Sequence, residues 1–136
     1  MRGLNVRRPV AEWRDPRHRR GLSGEVAAAR YLEGRSFQIL AHRFRLGHHD
    51  VDLVARRGRM VVFVEVKARA SSGFGSPAES IGWRKQRDLC RVAEAWIARH
   101  GRAGDVYRFD VITVCWSGPG FPQVSHIEGA FVSVGK

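Results

Sequence analysis

The chain has 136 residues, which is the length of one domain, and 43% of them are hydrophobic. That content supports a packed core and excludes wholesale disorder. The formal net charge is +11, so a polyanionic partner is expected. We expect nucleic acid rather than a membrane, because no stretch approaches the roughly 18 apolar residues of a span and no lipidation or amphipathic motif is present.

Cysteine usage and the start of the chain predict a cytoplasmic protein. Cys90 and Cys115 stand far apart and form no CxxC pattern, which argues against a disulfide framework and against zinc. The first twenty residues lack the apolar stretch of a secretory signal.

Arginine supplies nearly all of the positive charge. Of the 24 basic residues, 21 are arginine and three are lysine, namely Lys67, Lys85 and Lys136. An arginine-rich proteome is an alternative explanation for the net charge. A lysine inside a predicted element, such as Lys67 or Lys85, therefore indicates a specific role.

The elements of the first half begin after a basic stretch. Residues 1–20 carry seven arginines without clear periodicity, and we expect a flexible arm that either contacts phosphates or is simply solvated. A single domain would then fill 21–136. A first helix is predicted over Ser23–Glu33, with Ser23 as its cap. Three strands are predicted next: Phe37–Ala41, Asp50–Ala55 and Met60–Lys67.

The second half continues with a helix and two strands. A loop over 70–77 is followed by a helix from about Glu79 to His100, then by strands Arg108–Cys115 and Ile127–Val132. The order is α-β-β-β-α-β-β. A hairpin at Gly58 followed by a helical crossover implies an α/β fold, with a mixed β-sheet flanked by helices.

The third strand carries the residues that suggest chemistry. Glu65 and Lys67 share one face at its end, and the hairpin can bring Asp52 beside Glu65. Two carboxylates suit a hard cation such as Mg²⁺, which lowers the pKa of a bound water. Lys67 could orient that water or stabilise developing charge. The pattern favours metal-assisted phosphodiester hydrolysis; the alternative is a salt-bridged strand end worth about 0–1 kcal/mol.

Five segments resemble a known family in order and spacing. They are GLSGEVAAARYLEGRSFQIL, AHRFRLGHHDVDLVARRGRMVVFVEVKAR, GFGSPAESI, RFDVITV and IEGAF. Across residues 21–131 the chain resembles the YraN-like family of bacterial proteins. That family is assigned to the restriction-endonuclease-like PD-(D/E)XK superfamily, with proposed similarity to Holliday-junction resolvases. The resemblance implies a restriction-endonuclease-like αβββαβ core.

The resemblance also implies site residues. Asp52 and Glu65 would hold Mg²⁺ or Mn²⁺, with Lys67 completing the catalytic set. Glu25 matches a first-helix glutamate that can act as an extra metal ligand, although an acidic residue in a first helical turn is also favoured by the helix dipole. The candidate nucleic-acid contacts are Lys85, Arg43, Arg45 and Arg69.

One segment departs from the family pattern. Where the family usually has Gly-Glu-Ile-Asp, this chain has His49-Asp50-Val51-Asp52. Asp50 is therefore a candidate ligand, or a partner for Arg43 or Arg45. Elsewhere, Asp110 alternates with Arg108 on one strand face, and we expect a structural ion pair there.

Three functions follow from these patterns. The first is a Mg²⁺-dependent endonuclease acting on DNA, with branched DNA as a candidate substrate. The second is a nucleic-acid-binding module on the same fold that cleaves nothing. The third is an interaction domain that binds an acidic protein, which weak salt dependence of nucleic-acid binding would favour. Resolvase-like action would favour a homodimer.

Overall fold

A five-stranded sheet with a helix on each face organises the computed structural model, which describes residues 9–13, 19–69, 81–116, 118 and 120–132. The strands lie in the order β1-β2-β3-β4-β5, and β3 pairs with β4 in parallel while the other neighbours are antiparallel. The predicted mixed α/β sheet and the αβββαβ core are confirmed. The elements are α1 (Arg19–Gly34), β1 (Gln38–Leu46), β2 (His49–Arg57), β3 (Met60–Arg69), α2 (Trp83–His100), β4 (Val106–Cys115) and β5 (Gln123–Phe131).

Strand β3 separates two hydrophobic cores because its central residues are buried on both faces. Val61 and Phe63 pack with Trp96 and other residues of α2. Val62 and Val64 pack on the opposite face, in the core that receives α1. Of the helices that the structure describes, none is long and apolar enough to cross a membrane.

The predicted boundaries differ from the observed ones mainly where the apolar pattern is interrupted. Strand β1 continues five residues beyond Ala41, because the arginine-containing stretch after it still pairs with β2. Helix α1 begins at Arg19, so Ser23 lies inside the helix and does not cap it. The predicted loop over 70–77 and the predicted start of the second helix at Glu79 lie outside the described residues.

Residues 9–13, within the stretch expected to form a flexible arm, pack against the domain. Val10–Glu12 forms a short 3-10 turn, and Val10 and Trp13 are buried in the α1-side core. Charge alone suggested solvation, but Val10 and Trp13 are apolar side chains that the α1-side core buries. Residues 1–8 and 14–18 lie outside the described part of the chain.

A glycine brings α1 close to the end of β3. A Cβ atom added at Gly24 would lie 2.8 Å from the Cβ of Ala68, closer than real Cβ contacts allow. Any larger residue would push the helix away from the strand. The close approach holds the next residue, Glu25, near the end of the sheet where Asp52 and Glu65 lie.

A buried carboxylate joins β4 to β5. Asp110 is 1% exposed and accepts hydrogen bonds from Arg108 Nε at 2.8 Å, His126 Nε2 at 2.8 Å and Gly129 N at 3.1 Å. The predicted Arg108–Asp110 ion pair is confirmed. The register of β4 with β5 shifts between Phe109 and Val111. At this irregularity the backbone N–H of Gly129 donates to the Asp110 side chain.

Candidate metal and nucleic-acid site

The candidate site lies where β2 and β3 stop pairing. The last matched pair before that point is Leu53 with Val64, and Asp52 and Glu65 are the next residues along the two strands. In place of a backbone ladder, Asp52 Oδ2 accepts a hydrogen bond of 2.7 Å from the Val66 N–H. The Asp52 carboxylate is therefore held between the two strands, beside Glu65.

Two lysines stand around Glu65. Strand parity places Glu65 and Lys67 on the same face as Phe63, which is the face covered by α2. Lys85, from the first turn of α2, lies with its Nζ 3.6 Å from Glu65 Oε2. The structure thus brings Lys85, one of the candidate nucleic-acid contacts, to the end of the sheet, and Glu65 is only 12% exposed in this pair.

Burial and mutual repulsion raise the pKa values of the Asp52 and Glu65 carboxyl groups. Burial raises the pKa of Asp52 well above its usual value, and the charges of Glu65, Glu25 and Asp50 raise it further, against the lowering effect of the Val66 N–H. Burial also raises the pKa of Glu65, although the charges of Lys85 and Lys67 oppose this effect. A divalent cation would relieve the repulsion among these carboxylates.

Replacing Asp52 with asparagine is expected to stabilise the metal-free protein at neutral pH. Because the pKa of Asp52 is raised on folding, its ionisation favours the unfolded chain as the pH rises through the folded-state pKa. Asparagine removes that penalty while keeping an acceptor for the Val66 N–H. We expect a gain on the order of 1 kcal/mol at pH 7, measured by urea unfolding in EDTA.

The pH dependence separates this effect from simple repacking. The gain should shrink as the pH falls and disappear below about pH 3, where Asp52 is protonated in both the folded and the unfolded wild-type chain. Asp110→Asn provides the contrast, because the pKa of Asp110 is lowered on folding and its loss should cost stability most at neutral pH. An Asp52→Asn effect that is identical at pH 4 and pH 8 would contradict the account.

Glu25 belongs to a separate buried cluster next to Asp52. It is 7% exposed, and its Oε1 lies 2.5 Å from His42 Nε2 and 2.9 Å from Arg43 Nε. Trp13 stacks on the His42 ring, with centroids 3.6 Å apart and an interplanar angle of 11°. A metal would compete with two donors for Oε1, so the role of Glu25 as a third ligand stays a prediction.

Sequence reasoning missed His42 and Trp13. His42 is 3% exposed, and its Nδ1 is buried without a hydrogen-bond partner. A histidine between Ala41 and Arg43 gives no periodic signal of burial, and the stacking of Trp13 joins residues 29 positions apart. In the folded chain, Trp13 of the N-terminal segment covers His42, and His42 contacts Glu25.

The carboxylates present fit a hard divalent cation of the magnesium type. In the described part of the chain, no three His, Cys, Asp or Glu side chains lie together in an arrangement that could hold a metal ion. Mg²⁺ commonly uses only one or two carboxylates, with water and substrate phosphate supplying its other ligands. Asp52 and Glu65 match that donor set, with Asp50 close enough for its charge to raise the pKa of both.

The predicted arginine contacts fall into two groups. Arg43 has a positive φ of 58° and donates to Glu25, so its guanidinium is already engaged inside the protein. Arg45 and Arg69 are exposed. Arg45 pairs in register with Asp50. This places one basic side chain next to His49–Asp52, the segment that departs from the family pattern. Phosphate binding by all three stays a prediction.

A cavity of about 440 Å³ lies elsewhere on the α2 face. It is bordered by Phe63, Ile97, Tyr107 and Phe131 among others, and none of the predicted site residues lines it.

Comparisons with known proteins agree on one family. The model of the family described as Uncharacterised protein family UPF0102 matches residues 24–114. The UPF0102 protein GSU0650 of Geobacter sulfurreducens is 40% identical over 123 residues, covering 90% of this chain and 96% of that protein. UPF0102 protein RHA1_ro06551 of Rhodococcus jostii is 40% identical over 111 residues, covering 82% and 94%.

Among solved structures, Pyrococcus furiosus SfsA in complex with Ca²⁺ aligns with a TM-score of 0.38 and 14% identity. The alignment covers 84% of this chain and 64% of that one, and a likeness this weak carries no functional argument. The family match and the relatives carry the assignment: the chain belongs to UPF0102, the YraN family.

Proposed function

We propose that this protein is a Mg²⁺- or Mn²⁺-dependent endonuclease that hydrolyses phosphodiester bonds in DNA, with branched DNA as a candidate substrate. The observation that carries the proposal is the position of Asp52 and Glu65, adjacent at the point where β2 and β3 separate. Lys67 and Lys85 accompany Glu65 on the α2 face. The net charge of +11 supports a polyanionic substrate.

Each side chain has a definite task in this proposal. Asp52 and Glu65 would hold the cation, which when bound supplies an acidified water and polarises the phosphodiester. Lys67 would hold the attacking water or stabilise charge on the phosphate. Lys85 would exchange its contact with Glu65 for one with a substrate phosphate. Glu25, kept in place by His42 and Arg43, would maintain negative potential beside Asp52.

A nucleic-acid-binding module without cleavage is the second candidate. Two observations favour it: Oε1 of Glu25 is engaged by two donors, and Glu65 forms an ion pair with Lys85. A structural role for these charges would require no metal.

A cleavage assay distinguishes the two. Purified protein is incubated with Mg²⁺ or Mn²⁺ and with duplex, single-stranded and four-way-junction DNA, alongside Lys67→Ala. The endonuclease proposal expects metal-dependent cleavage of at least one substrate by wild type, and loss of that cleavage in Lys67→Ala. Nucleic-acid binding without metal-dependent cleavage of any of these substrates would favour the second candidate.

A further inference from the structure

An exposed tryptophan stands at the start of α2, next to the candidate site. Trp83 is 62% exposed, whereas Trp13 and Trp96 are buried and Trp116 is half-buried. The exposed indole offers a large, flat apolar surface that a partner can cover. Trp83 has no part in either hydrophobic core.

Two guanidinium groups lie against this ring. Arg84 Cζ is 5.6 Å and Arg87 Cζ 5.2 Å from the centroid of Trp83, within the range of cation–π attraction. Both arginines are exposed, and no acidic residue occurs in the first turn of the helix. The surface around the ring is therefore positive, which suits a phosphate-bearing partner.

The same helical turn reaches the candidate catalytic centre. Lys85, two residues after Trp83, has its Nζ 3.6 Å from Glu65 Oε2. A nucleic acid whose phosphate replaced Glu65 as the partner of Lys85 would have to curve around the start of α2, because side chains two residues apart point to different sides of a helix. A base of that strand would then come within reach of the indole.

We propose that Trp83, together with Arg84 and Arg87, is a stacking platform for an unpaired base of the nucleic acid. Indole stacking is tolerant of base identity but needs an exposed base face, which a fully paired duplex does not offer. The inference rests on the proposed function and deepens it, because it names the substrate class. That class is DNA with unpaired nucleotides, such as single strands, gaps and branched structures with open arms.

The test is a binding measurement in EDTA, so that no cleavage occurs. Fluorescence anisotropy gives the Kd of the full chain for a labelled single strand, for the matching duplex and for the same duplex with a gap. Trp83→Ala should weaken binding to the single strand and the gapped duplex about 10-fold, the size typical of one lost base–aromatic stack. Binding to the intact duplex should change little. Trp83→Phe should retain most of the affinity.

The arginines are tested through salt dependence. Arg84→Ala and Arg87→Ala should weaken binding to all three DNAs and lower the salt slope by about one each. Arg57→Ala is the matched control, because Arg57 also lies over an aromatic ring, Phe37 at 4.4 Å, but at the hairpin end of the sheet. Val106→Ala removes another exposed apolar side chain at that end, and should leave every Kd unchanged.

The outcomes separate this inference from the proposed function. If Trp83→Ala weakens all three DNAs equally, or none, the stacking platform is wrong even where wild type cleaves DNA. If wild type shows the Trp83-dependent preference but never cleaves with Mg²⁺ or Mn²⁺, the platform stands and the endonuclease proposal fails. If wild type binds no nucleic acid, both are overturned.

Discussion

Replacing Glu65 with glutamine is expected to reduce Mg²⁺-dependent DNA cleavage by well over 100-fold. The substitution keeps the size of the side chain but removes the negative charge beside Asp52. The loss should exceed the roughly 10–100-fold effect of changing a residue that merely orients a metal ligand. Single-turnover cleavage at saturating metal, measured on the best substrate of wild type, gives the ratio.

A matched control keeps this experiment specific. Glu33→Gln makes the same chemical change at an exposed glutamate near the end of α1, whose contact is the surface ion pair with Arg30. That variant should cleave like wild type. If Glu65→Gln retains cleavage within a few-fold of wild type, Glu65 does not hold a catalytic metal, and the assignment of the site is wrong.

Replacing Asp110 with alanine is expected to destabilise the protein by about 3–5 kcal/mol. The change leaves the donors of Arg108, His126 and Gly129 facing an empty space next to β4. His126 is 6% exposed on its side chain, so water cannot easily replace the lost acceptor. Denaturant unfolding at pH 7 measures the loss.

Acid should weaken the wild-type network in a predictable direction. Burial would raise the pKa of Asp110, but the hydrogen bonds from His126, Arg108 and Gly129 outweigh burial and lower it. A lowered pKa gives stability that is present above the unfolded-state value of about 3.9 and is lost as the pH falls through the folded-state value.

Glu128→Ala is the control for the Asp110 variant. Glu128 also contacts Arg108, at 3.7 Å from Nη1, but is 60% exposed on its side chain. Its removal should change the free energy of unfolding by less than about 1 kcal/mol. Equal effects of the two substitutions would mean that the buried hydrogen bonds of Asp110 do not hold β5 to β4.

The sequence predicted the order of elements because short apolar strand segments, such as the valine-rich Met60–Lys67, are separated by turn residues and the second helix has an apolar stripe. Glu65 and Lys67 were also accessible, since strand parity places them on one face. Asp52 required the register of the hairpin, and the pairing of Leu53 with Val64 supplied it. The ion pair of Arg108 with Asp110 followed from simple alternation.

The remaining features depend on contacts between distant parts of the chain. Trp13 reaches His42 across 29 positions, and nothing in a basic N-terminal stretch signals such an anchor. The exposure of Trp83 could not be read from sequence either, because one tryptophan at a helix start fits a buried face as well as an open one. The contact of Trp13 with His42 and the exposure of Trp83 both depend on tertiary packing.

The central claim is that Asp52 and Glu65 together bind a divalent cation, and calorimetric titration of the full chain with Mn²⁺ tests it most directly. We expect wild type to bind Mn²⁺ more tightly as the pH rises, because the raised pKa values of both carboxyls make protons compete with the metal. Asp52→Asn and Glu65→Gln should each abolish the binding, while Glu33→Gln should not. Binding that survives both site substitutions, or no binding by wild type at any pH between 6 and 8, would contradict the account.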